Sequence, residues 1–213
     1  PNLTLYTKIQ IIFSAAKKAL RGFFRGLFLK KRRGLFFVGK SVKILNSQYI
    51  EIGRNVKFED QCEVQGLSSN GVYMGNNVTI GRNVMIRPSS YYGVGHIGYG
   101  LKIGNNSSIG PNGFIGAAGK VVIGDDVMVG PGVMIIAENH NFSKLNQSIK
   151  SQGVQQKGIV IKDNVWIGAN VTILDGVIIP SGTVIGANTI ITKTIDYENS
   201  IIYDKRNKVL NNR

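Results

Sequence analysis

From Ile52 to Ile191 the chain sets one large apolar residue at every sixth position, with interruptions, among small, polar or β-branched residues. The leads are Ile52, Phe58 and Val64; Met74, Ile80 and Ile86; Ile103, Ile109 and Ile115; Ile123, Val129 and Ile135. Ile161, Ile167, Ile173, Ile179, Ile185 and Ile191 follow unbroken. One lead in six gives a short flat strand one inward side chain, after which the chain must turn. In the thirteen complete units the fifth position is Val, Thr, Ser, Gly or Cys, small or β-branched as a crowded interior strand requires. The fourth is Asn, Gly or Asp in twelve of them, Gln61 being the exception. Those residues tolerate the left-handed backbone of a sharp corner. Cys62 holds a fifth position and reads as core filler, not as a nucleophile.

Three such units make one coil of a triangular solenoid. The leads group in threes, and every lengthened spacing follows the third lead of a coil: ten residues from Val64 to Met74, seventeen from Ile86 to Ile103, eight from Ile115 to Ile123, twenty-six from Ile135 to Ile161. Val38 and Ile44, followed by Ile52, form an earlier partial coil under the same rule. All insertions are therefore expected to leave one edge of the prism, where solenoids often carry function. The expected architecture is an all-β solenoid, a parallel β-helix of about six to seven triangular coils over 38–195, with a C-terminal extension at 196–213. The longest insertion, 137–158, is expected to protrude as a loop, and it carries His140.

Ahead of the repeat, Ile9, Ile12, Phe13, Ala16, Leu20, Phe23, Phe24 and Leu27 recur at helical spacing. Lys17, Lys18, Arg21 and Arg25 lie on or beside the opposite side, and Lys30-Lys31-Arg32-Arg33 closes the segment. The segment 1–37 is expected to be a basic amphipathic helical appendage. Its apolar run is too short to span a bilayer, and its interspersed cations do not suit a secretory signal. It suits either packing on the protein itself or a partner chain, or an interfacial helix on an anionic membrane. The charge sharpens this choice. Of the net +14, residues 1–50 contribute eleven Lys/Arg and no acid, whereas the rest is nearly balanced. Nucleic acid is not an expected partner, because no recognition module accompanies the cations.

One cysteine excludes an intrachain disulfide framework and a multi-cysteine zinc site, and two histidines are too few for a three-histidine metal site within one chain. The single thiol also suits a reducing compartment, and a cytoplasmic location is expected. His96 lies in the Gly- and Tyr-rich insertion YYGVGHIGYG and is read as a loop residue.

Two stretches, KDNVWIGANVTILDGVIIPSGTVIGANTIITK (Lys162 to Lys193) and IGDDVMVGPGVMI followed by the loop with NHNF (Ile123 to Phe142), resemble the hexapeptide-repeat acyltransferases. The closest resemblance is to bacterial sugar O-acetyltransferases of capsule and lipopolysaccharide clusters, and it covers roughly 38–213. It implies a left-handed β-helix, a homotrimer with active sites between neighbouring prisms, and acetyl-CoA as donor without a metal. It implies that His140 is the general base. Glu138, two residues away, suits orienting the imidazole as a carboxylate commonly does, although a solvated loop acid explains it as well. Asn112 matches an acceptor-binding asparagine, although a corner residue explains it as well. Trp166, at an outward sixth position, matches a residue lining the acetyl and acceptor site. Ala169 and Ala187 match positions touching the pantetheine arm, and Thr192 and Lys193 match the exit toward the nucleotide.

The C-terminus departs from the family. Relatives close over the adenine with a segment like YSIVAGNPAKVIKKR, whereas this chain has NSIIYDKRNKVLNNR, Asn199 to Arg213. Lys205 and Arg206 are expected to take over by pairing with CoA phosphates. The function implied is O-acetylation of a sugar on a surface polysaccharide or its lipid-linked precursor, and the basic amphipathic N-terminus motivates a place at the inner face of the cytoplasmic membrane. N-acetylation of a nucleotide-linked amino sugar and a catalytically inactive structural solenoid are the alternatives.

Overall fold

The computed structural model describes residues 3–88 and 97–204. Its body is a left-handed parallel β-helix whose strands stack into three parallel sheets of seven, eight and seven strands, one per face of a triangular prism. Seven coils span 31–45, 50–65, 72–87, 101–116, 121–136, 159–174 and 178–191. The repeat produces them as its chemistry requires. Every lead from Ile52 to Ile191 is buried, at most 5% exposed. The fifth-position residues fill the space between leads, and Cys62 is fully buried among them. All thirteen fourth positions, from Asn55 to Asn188, have φ between 55° and 87°. Gln61, the compositional exception, adopts the same left-handed corner at φ 64°.

A second ladder reinforces the corner between the first and second faces. Asn76, Asn105, Asp125 and Asp163 each accept, through Oδ1, the backbone N–H of the residue one coil earlier, at 2.6–2.9 Å. These third positions stitch coil to coil along one edge, beyond what sheet pairing supplies.

The segments 46–49, 66–71, 117–120 and 137–158 run from the third face of one coil to the first face of the next, and the strands Met85–Arg87 and Leu101–Ile103, on either side of a further insertion, lie on the same two faces. The single insertion edge expected from the spacing is therefore present. Past coil 7 the chain follows the first face, with Ile195 N–H donating to Ile178 O, and then adds Ile201–Ile202 beside Val184–Ile185. The segment 196–213, expected to be an extension, thus contributes one more strand to the second face.

The N-terminal boundary also differs from expectation. A helix α1 (Leu5–Gly26), capped by Thr4 Oγ1 on Thr7 N–H, is followed by β1 (Lys31–Arg32), β2 (Phe36–Val38) and β3 (Lys43–Leu45), which complete coil 1. The solenoid begins at Lys31 rather than at residue 38. The repeat hides this because Arg32 occupies the place in register with Ile52. At the open end of a prism an inward arginine is tolerable: its guanidinium lies 5.6 Å from the Phe23 ring centroid and its stem packs on Gly26. Phe36 and Phe58 close the core behind it, rings edge to face at 4.9 Å.

Candidate functional site

The long insertion is a hairpin with a fixed root. It leaves coil 5 at Ala137, fully buried, whose N–H donates to Gly116 O at 3.0 Å and whose carbonyl accepts from Gly119 N–H at 2.8 Å. Asn139–His140 then pairs antiparallel with Val154–Gln155, His140 opposite Val154. Between them a 3₁₀ turn, Ile149–Gln152, is capped by Ser148. Gln152 ties the outer part together: its Nε2 donates to the carbonyls of Lys144 and Gln147, and its Oε1 accepts from Lys144 N–H.

The returning strand is held by Asp175, at the corner between coils 6 and 7. Its carboxylate is only 8% exposed and accepts from Gly158 N–H at 2.7 Å and Lys157 N–H at 2.9 Å. Gly176 N–H completes the clamp on Gly158 O at 2.8 Å. Sequence reasoning missed Asp175. Its signal was an acid at the third position of a unit, directly at the edge from which the hairpin departs.

His140 is exposed three residues from the buried Ala137, on an open recess of about 540 Å³ lined by Asn139, His140, Asn141, Phe142, Ser143 and Gln155. Glu138 is half-buried, and its carboxylate accepts from Gln156 Nε2 at 2.8 Å. Among the described residues no hydrogen bond joins Glu138 to the imidazole; the partner of its carboxylate, Gln156, lies across the hairpin.

The other candidates fall elsewhere on the prism. Trp166 points outward from the second face, 54% exposed, between Met128 and Val184 in register. Asn112, Ala169 and Ala187 occupy the edge between the second and third faces, in coils 4, 6 and 7. Ala169 and Ala187 stack, with Asn188 N–H donating to Ala169 O at 2.8 Å. Asn112 has φ 60° and its Oδ1 accepts from Asn83 Nδ2, which gives it a full corner role. Thr192 and Lys193 are exposed at the insertion edge, as is the root of the His140 hairpin. In a triangular prism the second face lies opposite that edge. One chain therefore keeps Trp166 and His140 on opposite sides. His96, Lys205 and Arg206 lie outside the described residues.

Cys62 has no exposure, and burial pushes its thiol up to about 12. A thiol so held is inert at neutral pH, consistent with its place in the core. Among the described residues no group of three His, Cys, Asp or Glu side chains is arranged to hold a metal ion.

Residues 158–193 match the family model described as bacterial transferase hexapeptide (six repeats). The hexapeptide repeat of bacterial transferases is thus present in the coils that follow the hairpin. Of solved structures, a variant of AntD, an N-acyltransferase from Bacillus cereus in complex with dTDP-4-amino-4,6-dideoxyglucose and coenzyme A, superposes with a TM-score of 0.56 at 17% identity. That superposition covers 87% of this chain and 84% of AntD. A hexapeptide-repeat acetyltransferase from Vibrio cholerae in complex with acetyl coenzyme A gives 0.47 at 24% identity, covering 60% of this chain and 66% of that one. NeuO, a polySia-specific acetyltransferase, gives 0.40 at 26% identity, covering 85% and 82%. None of the curated proteins compared with this chain matches it.

Proposed function

We propose that this protein is an acetyl-CoA-dependent O-acetyltransferase that acts on a sugar hydroxyl of a bacterial surface polysaccharide or its lipid-linked precursor, on the cytoplasmic side. One observation carries the proposal. The longest break in the solenoid holds an exposed imidazole on a root-anchored hairpin, and the transferase-hexapeptide match begins where that hairpin ends, at Gly158.

His140 acts as general base, histidine being the side chain suited to proton exchange near neutral pH. Its imidazole takes the hydroxyl proton as the sugar oxygen attacks the thioester carbonyl carbon. Backbone N–H groups stabilise the tetrahedral oxyanion. The carbon–sulfur bond then breaks, and the leaving thiolate takes the proton back from the imidazolium. Glu138 acts as a positioning residue that braces the hairpin through Gln156. The small side chains of Ala169 and Ala187 leave the backbone at their edge open to the pantetheine arm. Thr192 and Lys193, with Lys205 and Arg206, serve the nucleotide end.

The active protein is a homotrimer in this proposal. Trp166 and Asn112 of one copy meet His140 of the next, which answers their separation on opposite sides of a single prism.

The test is a thiol-release assay with acetyl-CoA and a panel of sugars. His140→Ala abolishes transfer; activity that survives it sinks the mechanism. Trp166→Ala is also impaired, and equal mixing of the two inactive variants restores about a quarter of the sites, since random trimers pair an intact His140 with an intact Trp166 that often. No recovery on mixing means the site lies within one chain.

A second function, N-acetylation of a nucleotide-linked amino sugar, is supported by the shared fold with AntD, whose complex holds an amino-sugar nucleotide. Acetyl transfer to the amine but not to hydroxyls in the same panel selects it.

A further inference from the structure

Helix α1 is mounted on the prism in an unusual sense: its small residues face inward and its large apolar residues face out. At 3.6 residues per turn, Lys18, Ala19, Gly22 and Gly26 share one side, and Gly22 and Gly26 are the helix's buried residues. Gly22 abuts the backbone of Phe36 with no room for a Cβ, and Arg21 Nε donates to Val38 O at 2.8 Å. Leu35 O and Gly39 N–H bond to coil 2. By alternation, the carbonyls of Phe36 and Val38 face the open end, so α1 covers the free edge of β2. Lys18 pairs with Glu59 of coil 2 and fixes the helix's rotation.

The opposite arc, about 120° wide at that periodicity, carries Ile9, Ile12, Phe13, Leu20, Phe24 and Leu27, each more than half exposed. Its flanks are cationic. Lys17 Nζ lies 4.1 Å from the Phe13 ring centroid, and Arg21 and Arg25 line a recess of about 380 Å³ with Phe24 and Phe28. The first fifty residues hold eleven cations and no acid. The acids nearest the helix, Glu51, Glu59 and Asp60, are already engaged by Lys30, Lys18 and Arg82.

We propose that α1 is a rigid foot for an anionic phospholipid bilayer, with the apolar arc among the acyl chains and Lys17, Arg21 and Arg25 at the phosphates. Charge decides the occupant. A second copy laid on this face would bring the same unbalanced cations against themselves, whereas anionic headgroups neutralise them. No described helix is long and apolar enough to cross a membrane, so contact is with one leaflet. Because the helix is clamped to coil 1 rather than tethered, the prism takes a set orientation on the lipid. The His140 hairpin leaves coil 5, four coil spacings of about 4.8 Å, on the order of 20 Å, along the axis from the anchored end. That distance suits a sugar carried clear of the headgroups.

The full-length protein is tested by sedimentation with vesicles of pure phosphatidylcholine and with vesicles containing about one-third phosphatidylglycerol. Wild type binds the anionic vesicles at least about tenfold more tightly than the neutral ones, and salt weakens the binding. Phe13→Ser with Phe24→Ser, and separately Lys17→Gln with Arg25→Gln, each weaken binding about tenfold or more. Both leave the circular dichroism melt and acetyl transfer to a soluble acceptor unchanged, because the substituted side chains are exposed and remote from the hairpin. Equal affinity for both vesicles, or binding untouched by either pair, overturns the proposal. So does a Phe13/Phe24 variant that lowers the oligomer size in gel filtration without changing vesicle binding, since a second copy then covers the face. Loss of transfer in His140→Ala with vesicle binding intact separates this inference from the proposed reaction.

Discussion

Replacing Asp175 with alanine should free the hairpin while leaving the prism standing. The carboxylate accepts two backbone N–H groups, from Gly158 and Lys157, at 2.7 and 2.9 Å, and is only 8% exposed. A hydrogen bond to a charged group contributes about 1.5–3 kcal/mol, so the pair contributes about 3–6 kcal/mol before water refills the site. Refilling recovers part of that, and a net loss of about 2–5 kcal/mol at the hairpin root follows. The clamps on Ala137 and the Gly176–Gly158 bond survive, as does the strand pairing of coils 5, 6 and 7. The loss should therefore fall on local opening rather than on global unfolding.

Hydrogen exchange over 137–158 is the direct readout, and protection there should drop by at least about thirtyfold, the equivalent of 2 kcal/mol. In the thiol-release assay kcat should fall about tenfold or more while KM for acetyl-CoA stays within about threefold, because none of the residues assigned to the donor belongs to the hairpin that is freed. Asp175→Asn keeps one acceptor but turns an NH₂ toward the second N–H, and should fall between wild type and alanine. Unchanged exchange over 137–158 would refute the anchor. Lost protection with unchanged kcat would refute the assignment of catalysis to this hairpin.

Other expectations test the scaffold and the weaker site candidates. Ile173→Ala removes a fully buried lead and should cost about 2–5 kcal/mol in urea unfolding. Cys62 should resist thiol reagents until the protein unfolds. Because its folded pKa is raised to about 12 from an ordinary 9.0, stability should hold below pH 9 and decline by about 1.4 kcal/mol per pH unit as pH climbs from 9 toward 12. At Asn112, glycine preserves the left-handed corner, whereas alanine should destabilise by about 1–2 kcal/mol. If Asn112→Gly raises the acceptor KM at unchanged stability, the amide binds acceptor; an unchanged KM leaves it a corner residue.

The interior of the solenoid was legible because each unit states its own geometry. A lead fills the core, a small or β-branched residue packs beside it, and an Asn, Asp or Gly turns the corner. Gln61 shows the limit of composition alone: neighbouring coils force the left-handed turn, and the residue complies. The two ends were less legible for the same physical reason. An end coil has a neighbour on one side only, so Arg32 can take an inward place under the lid of α1, and Ile202, in register with the lead Ile185, is reached by a stretch of chain that leaves the six-residue spacing. The hairpin's position followed from spacing, but its internal contacts did not. Glu138 with Gln156, and Asp175 with Lys157 and Gly158, join residues about eighteen apart across a loop, where no period operates.

A prism built this way has no room for a substrate inside. Leads and fifth-position residues from every coil fill the interior, and the core cluster runs unbroken from Leu29 to Ile191. Binding must therefore occur on the outside, and a flat face gives a ligand too little enclosure by itself. Among the described residues, the His140 hairpin borders an open recess at its edge, and Trp166 stands exposed on the opposite face. Neither encloses a ligand alone. Met128, Trp166 and Ile201 leave an apolar stripe on that face, each more than half exposed, of a kind that marks an interaction surface. Setting the hairpin of one copy against the stripe of another would cover the apolar residues and close a cleft in a single step. The subunit-mixing experiment decides this more sharply than any single substitution, because only a shared cleft lets two inactive chains restore each other.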